Sequence, residues 1–198
     1  MHIPDNYLSP ASCAALAVAA APVVGLSIIK VKAQLKENKE LAPMLGIAAS
    51  LSFLLMMFNV PIPGGTTAHA VGGVLLSILI GPYAASLALS VALFLQALLF
   101  GDGGILALGA NIFNMAIAMP FVGYAVYHFF RKQNHETAGV LIGSYVGINV
   151  AAFLTAIELG IQPIIATQGG EPLYNPYGLA VTIPAMMVTH LTIAGAVE

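Results

Sequence analysis

Of the 198 residues, 59% are hydrophobic and only 7% charged, and the formal net charge is −2; the mean hydropathy is +0.93. A soluble domain of this size carries about 25% charged residues to wet its surface, so an ordinary cytosolic enzyme is excluded. The six basic residues, Lys30, Lys32, Lys36, Lys39, Arg131 and Lys132, form no patch able to neutralise a phosphate backbone, which excludes nucleic acid as a partner.

The chain opens Met1-His2-Ile3-Pro4-Asp5-Asn6-Tyr7-Leu8-Ser9-Pro10. A cleavable signal needs a positive stretch ahead of its apolar run, and Asp5 is the one side-chain charge here, so this tail is expected to stay on the mature protein. The bulk of His2 disfavours removal of the initiator, so Met1 is expected to keep a free amine.

Long uncharged stretches follow, between Glu40 and Asp102, Asp102 and Arg131, Glu136 and Glu158, and Glu171 and Glu198. A spanning helix needs roughly 20 apolar residues, and Gly and Pro clusters divide the stretches into seven spans: 11–31, 43–60, 69–79, 83–100, 111–130, 138–161 and 178–197. The third is too short to cross alone and is expected to tilt, to continue past Pro82, or to be shielded by its neighbours. No alternating pattern suggests a barrel, so the fold class is all-α, a polytopic helical bundle forming a single transmembrane domain over 1–198 with an outward tail at 1–10. All the basic residues fall in the connections after spans one and five, which share a side. By the positive-inside rule that side is cytoplasmic and the N-terminus lies outside, with connections 60–68, 101–110 and 162–177. Small-residue ridges (Ala11, Ala15 and Ala19; Ala17, Ala21 and Gly25; Gly46 and Ser50) suit close helix packing, expected mainly within the bundle. The single cysteine, Cys13, reads as a small packed residue.

No catalytic or P-loop signature is present, so the chain is not expected to be an enzyme, and any active transport draws on another subunit or an ion gradient. Of the five histidines, His2 and His69 fall at the outer face, whereas His128 and His135 flank the cytoplasmic basic connection. His190 is buried in the last span and Glu158 lies near the outer end of the sixth. Ionisable groups inside a membrane are functional candidates by default, and a hydrogen-bonded structural role is the alternative for both.

Position two gives His2 a property no internal histidine has. The Met1 amine, the His2 backbone nitrogen and His2 Nδ1 close a five-membered and then a six-membered chelate ring on one metal. Displacing the amide proton demands a strongly polarising ion, and a planar nitrogen set suits Ni(II) or Cu(II) rather than Mg(II) or Ca(II). His69 supplies a fourth corner. Ahead of it, Pro61 and Pro63 stiffen the approach, Gly64-Gly65 permits a turn, and the Thr66 and Thr67 hydroxyls are placed to cap a helix starting at His69 and to support the site. Asp102 and Asn111, in the glycine-rich segment 100–111, are candidates to receive the distal N–H of the metal-bound imidazoles; a turn acid and a helix-capping amide are the alternative. On these residues alone, a metal site and a pair of structural histidines stand equal.

Three motifs, Met1-His2-Ile3-Pro4-Asp5 through Leu8-Ser9-Pro10, Pro63-Gly64-Gly65-Thr66 to His69, and Asp102-Gly103-Gly104 to Gly109-Ala110-Asn111, closely resemble the CbiM/NikM family over nearly the whole chain. Its members are the nickel- and cobalt-specific substrate-capture (S) components of energy-coupling-factor (ECF) transporters. The resemblance implies a six-helix S-component core with an added N-terminal helix, and a metal ligand set of Met1, His2 and His69. It implies Ni(II), or Co(II), as the bound substrate with no cofactor, and partners comprising a transmembrane coupling subunit, paired ATPases and a small accessory membrane protein. The setting is a prokaryotic cell membrane. Nickel is favoured over cobalt because nitrogen ligands closing a plane suit low-spin Ni(II). Two rivals remain: an S component or proton-coupled carrier for an organic substrate, using Glu158 and His190, and an intramembrane zinc hydrolase using His2, His69 and Asp102.

Overall fold

The computed structural model describes residues 1–62 and 66–198, with side chains described outside 61–67. Among the described residues seven helices follow the apolar runs: α1 (Pro10–Glu37), α2 (Leu41–Met57), α3 (Gly73–Ile80), α4 (Pro82–Phe100), α5 (Leu108–Arg131), α6 (Glu136–Ile165) and α7 (Leu179–Val197). Five are long and apolar enough to cross a membrane, while α2 has 17 residues and α3 has 8. The chain is an all-α, multi-pass membrane protein. Lipid offers no partners for open backbone, so helices carry the crossing. Two small antiparallel hairpins, β1 (Val60–Ile62) with β2 (Thr66–Ala68) and β3 (Thr167–Gln168) with β4 (Glu171–Pro172), occupy connections.

Local chemistry sets the boundaries. Pro10 starts α1 behind Ser9, whose Oγ accepts the Ser12 N–H at 3.2 Å, the usual N-cap arrangement. Gly81, at φ 87°, separates α3 from α4, so the third span ends short instead of continuing past Pro82. Its start also differs from the expectation: the helix begins at Gly73, behind Gly72 at φ 72° with no side-chain cap. His69 therefore precedes the helix, on irregular chain just after β2. Thr66 and Thr67 belong to β2 and do not cap α3; their side chains, and the Pro63-Gly64-Gly65 turn, lie outside the described residues. Helix α1 runs to Glu37, so Lys30, Lys32 and Lys36 ride on its last turns and not in a connection.

Inside the bundle, small residues let backbones meet. A Cβ on Gly143 would stand 2.7 Å from the Gly123 carbonyl oxygen, and one on Gly123 would stand 2.8 Å from that of Gly143, so α5 and α6 touch through glycine. Around this seam lies the main apolar cluster, containing Met1, Met56, Val71, Val74, Leu89, Met115, Met119 and Ile148. The expected ridges behave differently: Ala11, Ala15, Ala19, Gly46 and Ser50 are exposed, so those faces point away from the bundle. Helices α5 and α7 each contain a π-helical stretch, Ile112–Ala118 and His190–Ala194. Such stretches re-aim side chains and often accompany functional sites. We expect Gly143→Leu to separate α5 from α6 at a cost of about 1–3 kcal/mol, measured as a lower thermal unfolding midpoint in detergent; an unchanged midpoint would refute the close-contact role.

Candidate metal centre

Residues 1–9 carry no regular structure, yet Met1, Ile3, Leu8 and Ser9 are buried. Specific bonds fold this tail back over the bundle. The Ile3 N–H donates to Asn111 Oδ1 at 2.8 Å, and the Ile3 carbonyl accepts from Asn111 Nδ2 at 3.1 Å and from the Gly104 N–H at 2.9 Å. The Asp5 carboxylate accepts backbone N–H groups from Ile105, at 3.1 Å, and Leu106, at 2.9 Å. Ser9 N–H donates to Gln162 Oε1 at 3.0 Å, tying the start of α1 to α6. Glycine is required opposite the tail, because a Cβ on Gly104 would come within 2.5 Å of the Asp5 nitrogen.

His69 is 3% exposed and is reached from the other side of the fold. Just beyond it, the Val71 carbonyl accepts from Ser52 Oγ of α2, and the Val71 N–H donates to Glu198 Oε2, both at 2.7 Å. This segment and the tail bring His2 Nδ1 to 3.1 Å from His69 Nε2, with ring centroids 4.9 Å apart.

The remaining ring nitrogens decide what that contact is. His2 Nε2 lies 3.2 Å from Gln96 Oε1, and the amide end is fixed because Gln96 Nε2 donates to the Phe53 carbonyl at 3.4 Å. His69 Nδ1 lies 3.2 Å from the Ala70 carbonyl. An oxygen that only accepts requires a proton on the nitrogen facing it, so the protons sit on His2 Nε2 and His69 Nδ1. Two bare lone pairs therefore face each other across 3.1 Å. Each imidazole has its distal N–H held by an oxygen, as in metal-binding histidines.

Electrostatics keeps these nitrogens unprotonated. Burial holds the Met1 amine down to about 6, against the pull of the Asp102 carboxylate. Burial, and then the amine charge, push His2 down to about 3 despite the Gln96 hydrogen bond. Burial first, then the amine and His2, hold His69 well below its ordinary value. At pH 7 all three groups present lone pairs. Among the described residues the His2 backbone N–H has no acceptor, whereas the Ile3 N–H does. No group of three or more His, Cys, Asp or Glu side chains able to hold a metal occurs among the described residues, so a metal here depends on the chain's backbone and amine as well as its imidazoles.

The expected supporting residues are placed otherwise than anticipated. Gln96 and the Ala70 carbonyl take the distal imidazole protons. Asn111 clamps the tail, and Asp102 stands with Oδ1 3.7 Å from His2 Nδ1, near the amine. Sequence reasoning missed Gln96, whose one signal is an amide within an apolar span. Elsewhere, Glu158 accepts from Asn114 Nδ2 at 2.7 Å, while His190 Nδ1 bonds the Met186 carbonyl at 2.8 Å within its own helix; these two side chains form separate networks. Asn111→Ala would strip Ile3 of its donor and acceptor partner on that side, a loss of about 1–3 kcal/mol for buried groups. Hydrogen exchange at the Ile3 amide should accelerate roughly ten- to a hundredfold with the helices intact; unchanged protection would overturn the clamp.

The family description "Cobalt uptake substrate-specific transmembrane region", CbiM, matches residues 2–198. The probable fused nickel transport protein LarMN of Lactiplantibacillus plantarum is 66% identical over all of this chain and 61% of its own length. The fused nickel transport protein NikMN of Rhodobacter capsulatus is 49% identical over all of this chain and 58% of its own. The chain thus spans about three fifths of these relatives. The cobalt transport protein CbiM of Clostridium tetani is 31% identical over 86% of this chain and 70% of its own. A solved structure described as a truncated transition metal transporter superposes with a TM-score of 0.95 at 56% identity, covering 100% of this chain and 92% of that one. The chain belongs to the CbiM family of substrate-specific transmembrane regions.

Proposed function

We propose that the chain captures Ni(II), with Co(II) as the second candidate, at the outer end of the bundle through the Met1 amine, the His2 backbone nitrogen and Nδ1, and His69 Nε2. The observation that carries this is the pair of converging lone pairs. With metal–nitrogen bonds of about 2.0–2.1 Å, neighbouring corners of a square lie about 2.9 Å apart and those of a tetrahedron about 3.3 Å. The 3.1 Å separation suits one ion bridging both rings. The amine and backbone nitrogen of the tail complete a planar set, which favours Ni(II) over zinc. The relatives at 66% and 49% identity, both described as nickel transport proteins, point the same way.

The chain would serve as the S component of an ECF importer, working with a coupling subunit and paired ATPases. Its exposed small-residue face on α1 offers those partners a surface, and the basic ends of α1 and α5, opposite the tail, support an outward N-terminus. Asp102 balances charge beside the amine. Release begins when the tail lifts, because losing one corner weakens the whole chelate.

Blocking the Met1 amine by acetylation should abolish the yellow planar Ni(II) spectrum and stoichiometric binding while leaving the fold intact; retention of both would refute the ligand set. Acid should weaken binding in a defined order. The amide proton is displaced at any pH, while the amine, with its pKa lowered to about 6, adds a competing proton only below that value. Calorimetry in buffers of different ionisation heat should therefore find about one proton released per Ni(II) at pH 7, rising towards about two near pH 5.5. A release that does not change with pH would count against the amine.

A further inference from the structure

Helix α5 begins without a cap of its own. The residue before it, Ala107, makes no side-chain bond to the first turn, and Gly103-Gly104-Ile105-Leu106 ahead of it offers no hydroxyl, acid or amide. The open N–H groups are met instead from far along the chain. Asp5 Oδ2 accepts from Ile105 at 3.1 Å, and Oδ1 accepts from Leu106 at 2.9 Å and from Ala107 at 3.4 Å. A carboxylate suits this place for two reasons: it can only accept, and its charge faces the positive end of the helix dipole. The fit is close, because a Cβ on Gly104 would run into Asp5 Oδ1.

The position of this contact along the tail gives it a separate role. Met1 and Ile3 at the inner end are buried, as are Leu8 and Ser9 at the root, whereas Asp5 is half-buried between the exposed Pro4 and Asn6. The root is tied down independently, by the Tyr7 carbonyl, which accepts the Asn175 N–H at 3.2 Å, and by Ser9 on Gln162. Of the bonds that hold the inner half of the tail, water therefore reaches the Asp5 contact first, since the Ile3 bonds to Asn111 are buried. None of its atoms belongs to the proposed ligand set, so the same bonds form whether or not the seated tail carries an ion.

We propose that Asp5 is the latch of the tail: it sets how often the tail lifts, and so how fast an ion enters and leaves, without setting how tightly the ion is finally held. The inference rests on the capture site above. A bond common to the loaded and the empty seated tail makes no difference between those two states and drops out of the affinity, while it has to break on the way in and on the way out.

Asp5→Asn tests this directly. It keeps the size of the side chain but loses the charge, and its amide nitrogen would face an N–H donor. The probe is Ni(II) chloride added to the chain in detergent, followed by stopped-flow absorbance, with excess EDTA to read release. Association and dissociation should both quicken by the same factor, about five- to thirtyfold, with the planar spectrum kept and the dissociation constant from equilibrium dialysis unchanged. Asp5→Ala, which removes the acceptor altogether, should move both rates at least as far. Faster dissociation alone, with a matching loss of affinity, would mean that Asp5 only shapes the loaded site and would sink the latch. Unchanged rates, or loss of the planar spectrum in both variants, would sink it too. Absence of that spectrum from the unsubstituted chain would instead overturn the capture site.

Discussion

Everything in the site depends on holding two deprotonated nitrogens face to face in a place water does not reach. Left to themselves, two lone pairs at 3.1 Å repel, and the rings would rotate or take up a proton. Neither escape is open. The Gln96 amide and the Ala70 carbonyl fix the tautomers, and burial makes a positive imidazole too expensive. For the function proposed above, this arrangement is preorganisation in its simplest form.

The bundle exists to impose that constraint from several directions. Asn111 and Gly104 position the tail, α4 supplies Gln96, α2 anchors the segment after His69 through Ser52, and the end of α7 reaches the same segment through Glu198. Residues separated by a hundred positions along the chain converge on a few ångströms. The glycine seam between α5 and α6 lets the helices stand close enough for this, and the two π-helical turns place Asn114 and His190 inside it.

Much of this was legible in the sequence. Uncharged apolar runs broken by Gly and Pro located seven helices, because lipid permits little else. The pairing of His2 with His69 followed from the chelating power of a histidine at position two. Support around the rings was not legible, because it depends on long-range register. Nothing local distinguishes Gln96 from any other amide in a helix, nor tells that Asn111 would grip backbone and not a ring. The start of α3 was misplaced by four residues because its signal, a glycine at positive φ with no polar cap, resembles the glycines of a loop. The small-residue ridges of α1 carried a pattern for close packing but no indication of whose helix they would pack against.

On the proposed ligand set, the tail that supplies the ligands also covers them. On that ligand set, a tail pinned at Ile3, Asp5 and Ser9 has to detach before an ion enters, and again before one leaves. Exchange at equilibrium would then run at the tempo of a hinge, whatever the strength of the chelate. A scavenging molecule in the medium, however avid, would strip the protein no faster than that flap swings.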